Sequence, residues 1–207
     1  MNITRLIALT LSSASLPLVV ACGSGAPEPA PLAGARIGGA FTLINQRGQT
    51  VHDSDFAGRY RIVYFGYSFC PDVCPVDLNR LMLGLKAFEK ADPARGSRIQ
   101  PIFITVDPQR DTPAALAPFV AQFHPRLLGL TGTSAQIADV AAKYVVAYSK
   151  QGGSSPRDYL VAHTQNAYLM GPAGEPIALL PVDDPSTDAI DEGAPDKVAA
   201  ELARWVR

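Results

Sequence analysis

Two cysteines stand four positions apart in the stretch SFCPDVCP, residues 68–75, and each is followed by a proline. The thiolates of Cys70 and Cys74 could form a redox couple, a structural disulfide or a clamp for a soft metal ion. On a helix, residues at i and i+4 share one face about 5 to 6 Å apart at Cβ, which suits a chelate. A modest shift would bring the same pair to disulfide distance. The spacing therefore leaves both the metal and the redox interpretations open.

A third ligand is needed because two thiolates alone make a poor closed metal site. The chain has three histidines. His52 ends a predicted hairpin and is typical of a solvated surface residue, whereas His124 precedes a proline at a predicted helix end, where it can bond the last carbonyls. His163 stands between two apolar stretches, after a Gly/Ser loop that could move. It is the candidate ligand, and the alternative is a core-edge histidine bonded to a backbone group.

The N-terminus has the features of an export signal. After Arg5 comes an apolar run, residues 6–20, that is too short and too rich in serine for a spanning helix. The sequence VVAC at 19–22 resembles a bacterial lipoprotein cleavage box, which makes residues 1–21 a signal peptide and Cys22 the lipid-bearing first residue. The alternative is an ordinary signal peptide, with Cys22 an idle thiol. Residues 22–36, rich in Gly, Pro and Ala, are expected to form a flexible tether.

Export and composition narrow the functional classes. A lipid-anchored chain would face the periplasm or another extracytoplasmic space, where thiols form disulfides, are kept reduced by partners or hold a metal. Lipidation of Cys22 also accounts for the odd number of cysteines. A formal net charge of -1 without any basic run implies no nucleic-acid partner. With 47% hydrophobic residues, the remainder, 37–207, suits one compact domain.

The elements around the cysteines predict a thioredoxin-like α/β fold, with a central mixed sheet flanked by helices, an N-terminal hairpin and insertions. In open α/β sheets, reactive groups collect at the carboxyl ends of the strands. The position of the cysteines directly after a buried strand is therefore typical of a functional site. The predicted strands are 41–45, 50–53, 59–67, 99–106, 127–132 and 146–150, with a late hairpin at 164–181. The predicted helices are 76–92, 111–123 with Thr112 as its cap, 134–145 with Ser134 as its cap, and 195–207.

Three blocks, FGYSFCPDVCP, ITVDPQRDTP and DYLVAHT with YLMGPAGE, together resemble the Sco (SenC) family of copper chaperones. That family has a thioredoxin-like fold, is anchored on the outer face of an energy-coupling membrane and helps build the binuclear copper centre of cytochrome c oxidase. The resemblance implies one copper per chain, as Cu(I), Cu(II) or both, bound by Cys70, Cys74 and His163. The residue before the ligand histidine is typically Asp in the family but is Ala162 here, which removes a possible hydrogen-bond partner.

Four further residues, Asp72, Asp107, Arg110 and Asp111, also match family positions. Asp72 and Asp107 are expected near the ligands, where they could support a ligand loop or dock a partner. Arg110 is expected to pair with a carboxylate, and Asp111 is expected to cap a helix together with Thr112. The aromatic residues expected to pack around the site are Tyr67, Phe69 and Tyr159.

The family pattern favours a monomeric metallochaperone that takes copper from a periplasmic donor and passes it to the copper-centre subunit of the oxidase. The alternative is a thiol-disulfide oxidoreductase that maintains the cysteines of that subunit or of another exported protein. A peroxiredoxin-like peroxidase is a third and weaker possibility. The second cysteine after only three residues, together with His163, argues against it.

Overall fold

The structure is a computed structural model, and it describes residues 28–153, 155, 158–183 and 191–207. The predicted signal peptide and Cys22 lie outside the described residues. In the described part of the chain, no helix is long and apolar enough to cross a membrane.

Nine strands occur in the described residues, and seven of them form one mixed sheet. The strands are β1 (Thr42–Asn45), β2 (Thr50–His52), β3 (Tyr60–Gly66), β4 (Ile99–Thr105), β5 (Leu128–Thr131), β6 (Tyr148–Gln151), β7 (Leu160–His163), β8 (Ala167–Met170) and β9 (Pro176–Leu180). The large sheet has the order β2-β1-β5-β4-β3-β8-β9, and β6 pairs with β7 in a separate two-stranded sheet. Strands β3, β4 and β5 are parallel, while β1 and β8 join them antiparallel. The expected mixed sheet is therefore present.

Five α-helices accompany the sheet in the described residues: α1 (Val73–Ala91), α2 (Pro93–Ser97), α3 (Pro113–Val120), α4 (Ser134–Lys143) and α5 (Pro195–Trp205). Helix α1 buries one apolar face, as its 3.6-residue periodicity predicts. It packs closely on α5 because Gly84 has no side chain: a Cβ there would lie 2.6 Å from the Cβ of Val198. The residues on the buried face of α1 include the predicted Leu78, Leu81, Met82, Leu85 and Phe88.

Helix caps explain where α3 and α4 begin. Thr112 caps α3 as predicted, since its side chain accepts a hydrogen bond from the backbone N–H of Ala115 at 3.3 Å. The prediction of Ser134 as the cap of α4 is wrong by one residue. Thr133 caps this helix and exchanges hydrogen bonds with Gln136 in a capping box, which satisfies two backbone donors at once.

Part of the predicted tether lies against the domain. The backbone N–H of Leu32 donates to the carbonyl of Ile177 in β9 at 2.9 Å, and Glu28 forms an ion pair with Arg204 of α5 at 2.6 Å. These contacts occur within the segment 28–36 that the sequence assigns to a flexible linker.

The histidines outside the candidate site have different surroundings. His52 is exposed, as expected, with its Nδ1 3.0 Å from the Thr42 hydroxyl. His124 is buried and does not bond the carbonyls of a helix end, so that expectation is wrong. Its Nε2 lies 3.2 Å from the Glu89 carboxylate, and its Nδ1 accepts the backbone N–H of Arg126. This burial lowers the pKa of His124.

Candidate metal centre

The two cysteines lie at the carboxyl end of β3, as predicted, but they do not share a helical face. Helix α1 begins at Val73, so Cys74 lies in its first turn while Cys70 remains in the preceding loop. Cys74 is fully buried and Cys70 is half-buried, and neither is in a disulfide. Gly66 allows this packing, because a Cβ at that position would lie only 3.3 Å from the sulfur of Cys74.

His163 contacts the cysteine loop directly from the end of β7. Its Nε2 lies 3.1 Å from the sulfur of Cys74, and its Nδ1 lies 2.9 Å from the backbone oxygen of Thr164. A carbonyl oxygen can only accept, so Nδ1 carries the ring proton and Nε2 presents its lone pair to the sulfur. The imidazole is therefore held in the tautomer that can bind a metal through Nε2.

The backbone oxygen of Thr164 supplies the hydrogen-bond acceptor for His163 that Ala162 cannot provide. A ligand histidine is usually oriented by an acceptor on its second nitrogen. For His163 that acceptor is the main-chain carbonyl of Thr164, the next residue, whereas Ala162 is exposed and has no polar side chain. The orientation of His163 thus requires no aspartate at position 162.

Hydrogen bonds from several directions favour the thiolate form of Cys70. The largest contribution comes from the side chain of Cys74, and the backbone N–H groups of Asp72 and Cys74 and the Tyr67 hydroxyl add to it. Burial opposes these hydrogen bonds, and the balance lowers the pKa of Cys70 to about 5. The same contact with Cys70 raises the pKa of Cys74, and burial raises it further.

Asp77 adds a negative group behind the cysteines. It lies in α1, three residues after Cys74, where burial raises its pKa to about 6 and the Tyr64 hydroxyl donates to its carboxylate at 2.9 Å. Its charge contributes to the raised pKa of Cys74. The sequence analysis missed this residue, although its i+3 spacing from Cys74 places it on an adjoining part of the helix surface.

Cys70 is expected to react with iodoacetamide at a nearly constant rate from pH 8 down to pH 6, because its pKa of about 5 keeps it ionised there. The rate should fall to half its plateau near pH 5, while Cys74 stays unmodified. Mass spectrometry of a Cys22→Ser chain, which retains only these two thiols, measures both rates. A midpoint near the ordinary thiol pKa of about 8.5 would contradict the described hydrogen bonding.

Cys70 and His163 line the same surface cavity, whose volume is about 430 Å³. Its wall also includes Tyr67, Asp72 and Leu160. Within the described residues, no three His, Cys, Asp or Glu side chains are already assembled as a metal site. Cys74 nevertheless contacts both other residues: its side chain hydrogen-bonds that of Cys70, and its sulfur lies 3.1 Å from Nε2 of His163. The donor types fit a soft ion such as Cu(I), and imidazole also suits Cu(II).

The two acidic residues expected near the ligands occupy different environments. Asp72 is exposed on the cavity wall, and its side chain makes no capping bond to α1. Asp107 is buried, and its carboxylate binds the side chains of Arg110 and Tyr159. Tyr159 precedes His163 by four residues, so Asp107 contacts the segment that carries His163 rather than the sulfurs.

Asp111 fixes the cysteine loop and does not cap α3, contrary to the sequence-based expectation. Its buried carboxylate accepts hydrogen bonds from the backbone N–H of Ser68 at 2.9 Å, from the Ser68 hydroxyl, and from the Thr105 hydroxyl at 2.6 Å. Ser68 precedes Cys70 by two residues. This carboxylate thus ties the start of the loop to the end of β4.

The sequence matches the SCO1/SenC family over residues 29–194. The chain belongs to the SCO1/SenC family. It is 46% identical over 136 residues to the mitochondrial protein SCO2 homolog of Bos taurus, a match that covers 66% of this chain and 50% of that protein. The chain thus spans about half the length of this mitochondrial relative.

Solved structures of the SCO1/SenC family share this fold. ScoI of Bradyrhizobium japonicum with copper bound is 36% identical, with a TM-score of 0.69, and the match covers 82% of this chain and 99% of that one. Yeast Sco1 with copper bound is also 36% identical, with a TM-score of 0.68 and coverage of 82% and 90%. The predicted family and thioredoxin-like fold are confirmed.

Proposed function

We propose that this SCO1/SenC protein is a copper metallochaperone that delivers copper to the binuclear copper centre of cytochrome c oxidase during its assembly. The observation that carries the proposal is the contact of His163 Nε2 with the sulfur of Cys74, beside the half-buried Cys70. This arrangement offers two soft donors and one imidazole nitrogen at a surface opening. The copper-bound relatives support it, since they share the fold at more than a third sequence identity.

The unequal environments of the cysteines suit a metal that must be both taken up and released. Cys70 is largely ionised at neutral pH and lies at the opening, so it can accept copper from a donor without first losing a proton. Cys74 retains its proton in the metal-free state and must release it when copper binds. Copper can then move to a client by stepwise exchange of ligands, beginning with the accessible sulfur.

The place of action follows from the N-terminal segment and the family. We propose that the chain is exported, anchored through a lipid on Cys22 and held on the extracytoplasmic side of a bacterial membrane. Its partners would be a periplasmic copper donor and the copper-centre subunit of the oxidase. The ion pair of Glu28 with Arg204 leaves only residues 23–27 between the anchor and the docked segment, which would keep the domain close to the membrane surface.

Anaerobic titration of the reduced chain is expected to show one tightly bound copper per chain. The measurement is competition with a chromogenic Cu(I) chelator, followed by mass spectrometry of the complex under native conditions. A chain with both Cys70→Ser and Cys74→Ser is the matched control, because it keeps His163 but loses both thiolates. Copper binding of equal strength in the parent and this control would refute the proposal.

A thiol-disulfide oxidoreductase remains the second candidate, and the different pKa values of the cysteines favour it. In such a reaction the Cys70 thiolate attacks a partner disulfide and forms a mixed disulfide, while one partner sulfur leaves as a thiolate. Cys74 then loses its proton and attacks Cys70, which releases the second partner thiolate. The products are a Cys70–Cys74 disulfide and a reduced partner, so two electrons pass to the partner.

A further inference from the structure

Arg110 lies in the loop between β4 and α3, where its Nε and Nη1 have polar partners and its Nη2 is buried without one among the described residues. Its side chain is only 10% exposed. Its Nε donates to the carboxylate of Asp107 at 2.5 Å, and its Nη1 donates to the backbone oxygen of Tyr159 at 3.0 Å. The Tyr159 hydroxyl completes the triangle by donating to the other oxygen of Asp107 at 2.7 Å.

The guanidinium of Arg110 also contacts the cysteine loop. Its central carbon lies 3.7 Å from the ring centre of Tyr159, 5.0 Å from that of Phe69 and 5.6 Å from that of Tyr67. Phe69 directly precedes Cys70, and the Tyr67 hydroxyl helps to lower the pKa of that cysteine. Arg110 therefore packs against the segment that carries Cys70 and hydrogen-bonds the segment that carries His163.

The sheet topology makes the contacts of Arg110 important for the position of His163. Strand β7 pairs only with β6, and the described residues show no hydrogen-bonded pairing of this small sheet with the seven-stranded one. The position of His163 relative to the cysteines must therefore be fixed by side-chain contacts and loops. Tyr159 is buried immediately before β7. Arg110 binds its backbone oxygen, and Asp107 accepts a hydrogen bond from its hydroxyl.

We propose that Arg110 is a positioning residue that holds β7, and hence Nε2 of His163, against the sulfur of Cys74. Lysine cannot replace it, because one ammonium group lacks the planar fork that binds Asp107 and the Tyr159 carbonyl while lying flat on the ring. Asp107 acts through Arg110 and Tyr159 in this assembly. Its family position is thus explained by support of the histidine strand rather than by contact with a metal.

The first test measures the imidazole in the metal-free chain and does not depend on the proposed copper function. In the parent, ¹⁵N NMR should show His163 in a single tautomer, with a protonated Nδ1 and a bare Nε2. In Arg110→Lys the Nε2 signal should broaden or move, because this nitrogen is no longer held against the sulfur of Cys74, whereas the Nδ1 signal should change less, because the carbonyl of Thr164 belongs to the same segment. Arg126→Lys is the matched control: Arg126 binds Glu89 and the Gly96 carbonyl, remote from the cysteines, and its loss should leave the imidazole unchanged.

The second test is a double-mutant cycle on Cu(II) affinity, and it rests on the proposed function. Arg110→Lys should weaken Cu(II) binding about 10- to 100-fold, as loss of ligand support does in other metal sites. In a His163→Ala background the same substitution should have almost no further effect, because it acts through that ligand. Arg126→Lys should leave the affinity unchanged in both backgrounds.

The outcomes separate this inference from the copper proposal. Failure of the parent to bind copper would refute the proposed function, while the imidazole spectrum would still decide the role of Arg110. An unchanged spectrum in Arg110→Lys, or an equal loss of Cu(II) affinity with and without His163, would overturn the inference. If Arg110→Lys does not fold, Tyr159→Phe, which removes only the hydroxyl that bonds Asp107, takes its place in both experiments, with smaller shifts in the same direction.

Discussion

Replacement of His163 by alanine is expected to weaken Cu(II) binding about 100-fold or more, since loss of a ligand exceeds the effect of losing a ligand's supporting contact. His163 supplies the only imidazole on the cavity that contains Cys70 among the described residues. Cu(II) favours nitrogen donors. Within β7, the imidazole of His163 is the nitrogen donor that contacts the sulfur of Cys74. The fold should remain intact, because the side chain is half-buried at the end of a strand.

Cu(I) should respond much less to the same substitution. Two thiolates satisfy this soft ion well, so its affinity should fall by about tenfold or less. Competition titrations under air with Cu(II) and under argon with Cu(I) measure the two affinities separately. Loss of nitrogen hyperfine structure from the EPR spectrum of the Cu(II) form would show that the imidazole had been the ligand.

His52→Ala is the matched control for this prediction. His52 is the exposed histidine, and its ring contacts the Thr42 hydroxyl away from the cysteines. Its removal should leave both copper affinities and the EPR spectrum unchanged. Equal Cu(II) affinity in His163→Ala and the parent would exclude His163 as a ligand and leave a two-sulfur site.

The elements that carry the cysteines could be predicted because their signals are local. Strand β3 is rich in β-branched and aromatic residues and is buried along its whole length, and α1 repeats its apolar positions with a helical period. The error concerned Cys70, which was considered as part of a helical i and i+4 pair. Because Pro71 disfavours helical angles at the residue before it, the sequence did contain a reason to place Cys70 outside the helix.

The contacts that set the geometry of the candidate site could not be predicted in this way. Asp111 binds Ser68 across 43 positions of the sequence, and Asp107 binds Tyr159 across 52. Such pairs show no periodicity, so a single sequence identifies the residue types but not their partners. Strand β7 was missed for the same reason, since it is only four residues long and its pairing with β6 spans a Gly/Ser loop.

Exchange of Cys70 and Cys74 for serine, one at a time, is expected to give opposite results in thiol-disulfide exchange. Cys74→Ser should accumulate a mixed disulfide at Cys70, because no second thiol remains to resolve it. Cys70→Ser should react about 100-fold more slowly or not at all, because the buried Cys74 sulfur cannot be reached. The parent should pass through the mixed disulfide to an internal Cys70–Cys74 bond.

Access, rather than pKa alone, produces this difference. At pH 7 Cys70 is about 99% thiolate given its pKa of about 5, whereas less than about 1% of Cys74 is ionised. A thiolate of low pKa is also a weaker nucleophile, but only by about threefold per pKa unit, so this effect offsets only part of the advantage that ionisation gives Cys70. The complete burial of Cys74 acts in the same direction, so Cys70 attacks first.

Intact-mass spectrometry after mixing with oxidised glutathione at pH 7 measures both variants, with Cys22→Ser in every chain to remove the third thiol. A glutathione adduct that forms faster on Cys70→Ser than on Cys74→Ser would reverse the assigned roles. His163→Ala provides the link to copper: it should keep the thiol exchange of the parent while losing Cu(II) affinity. If His163→Ala instead abolishes both, the imidazole would take part in thiol chemistry, and copper binding and thiol exchange would not be separable at this site.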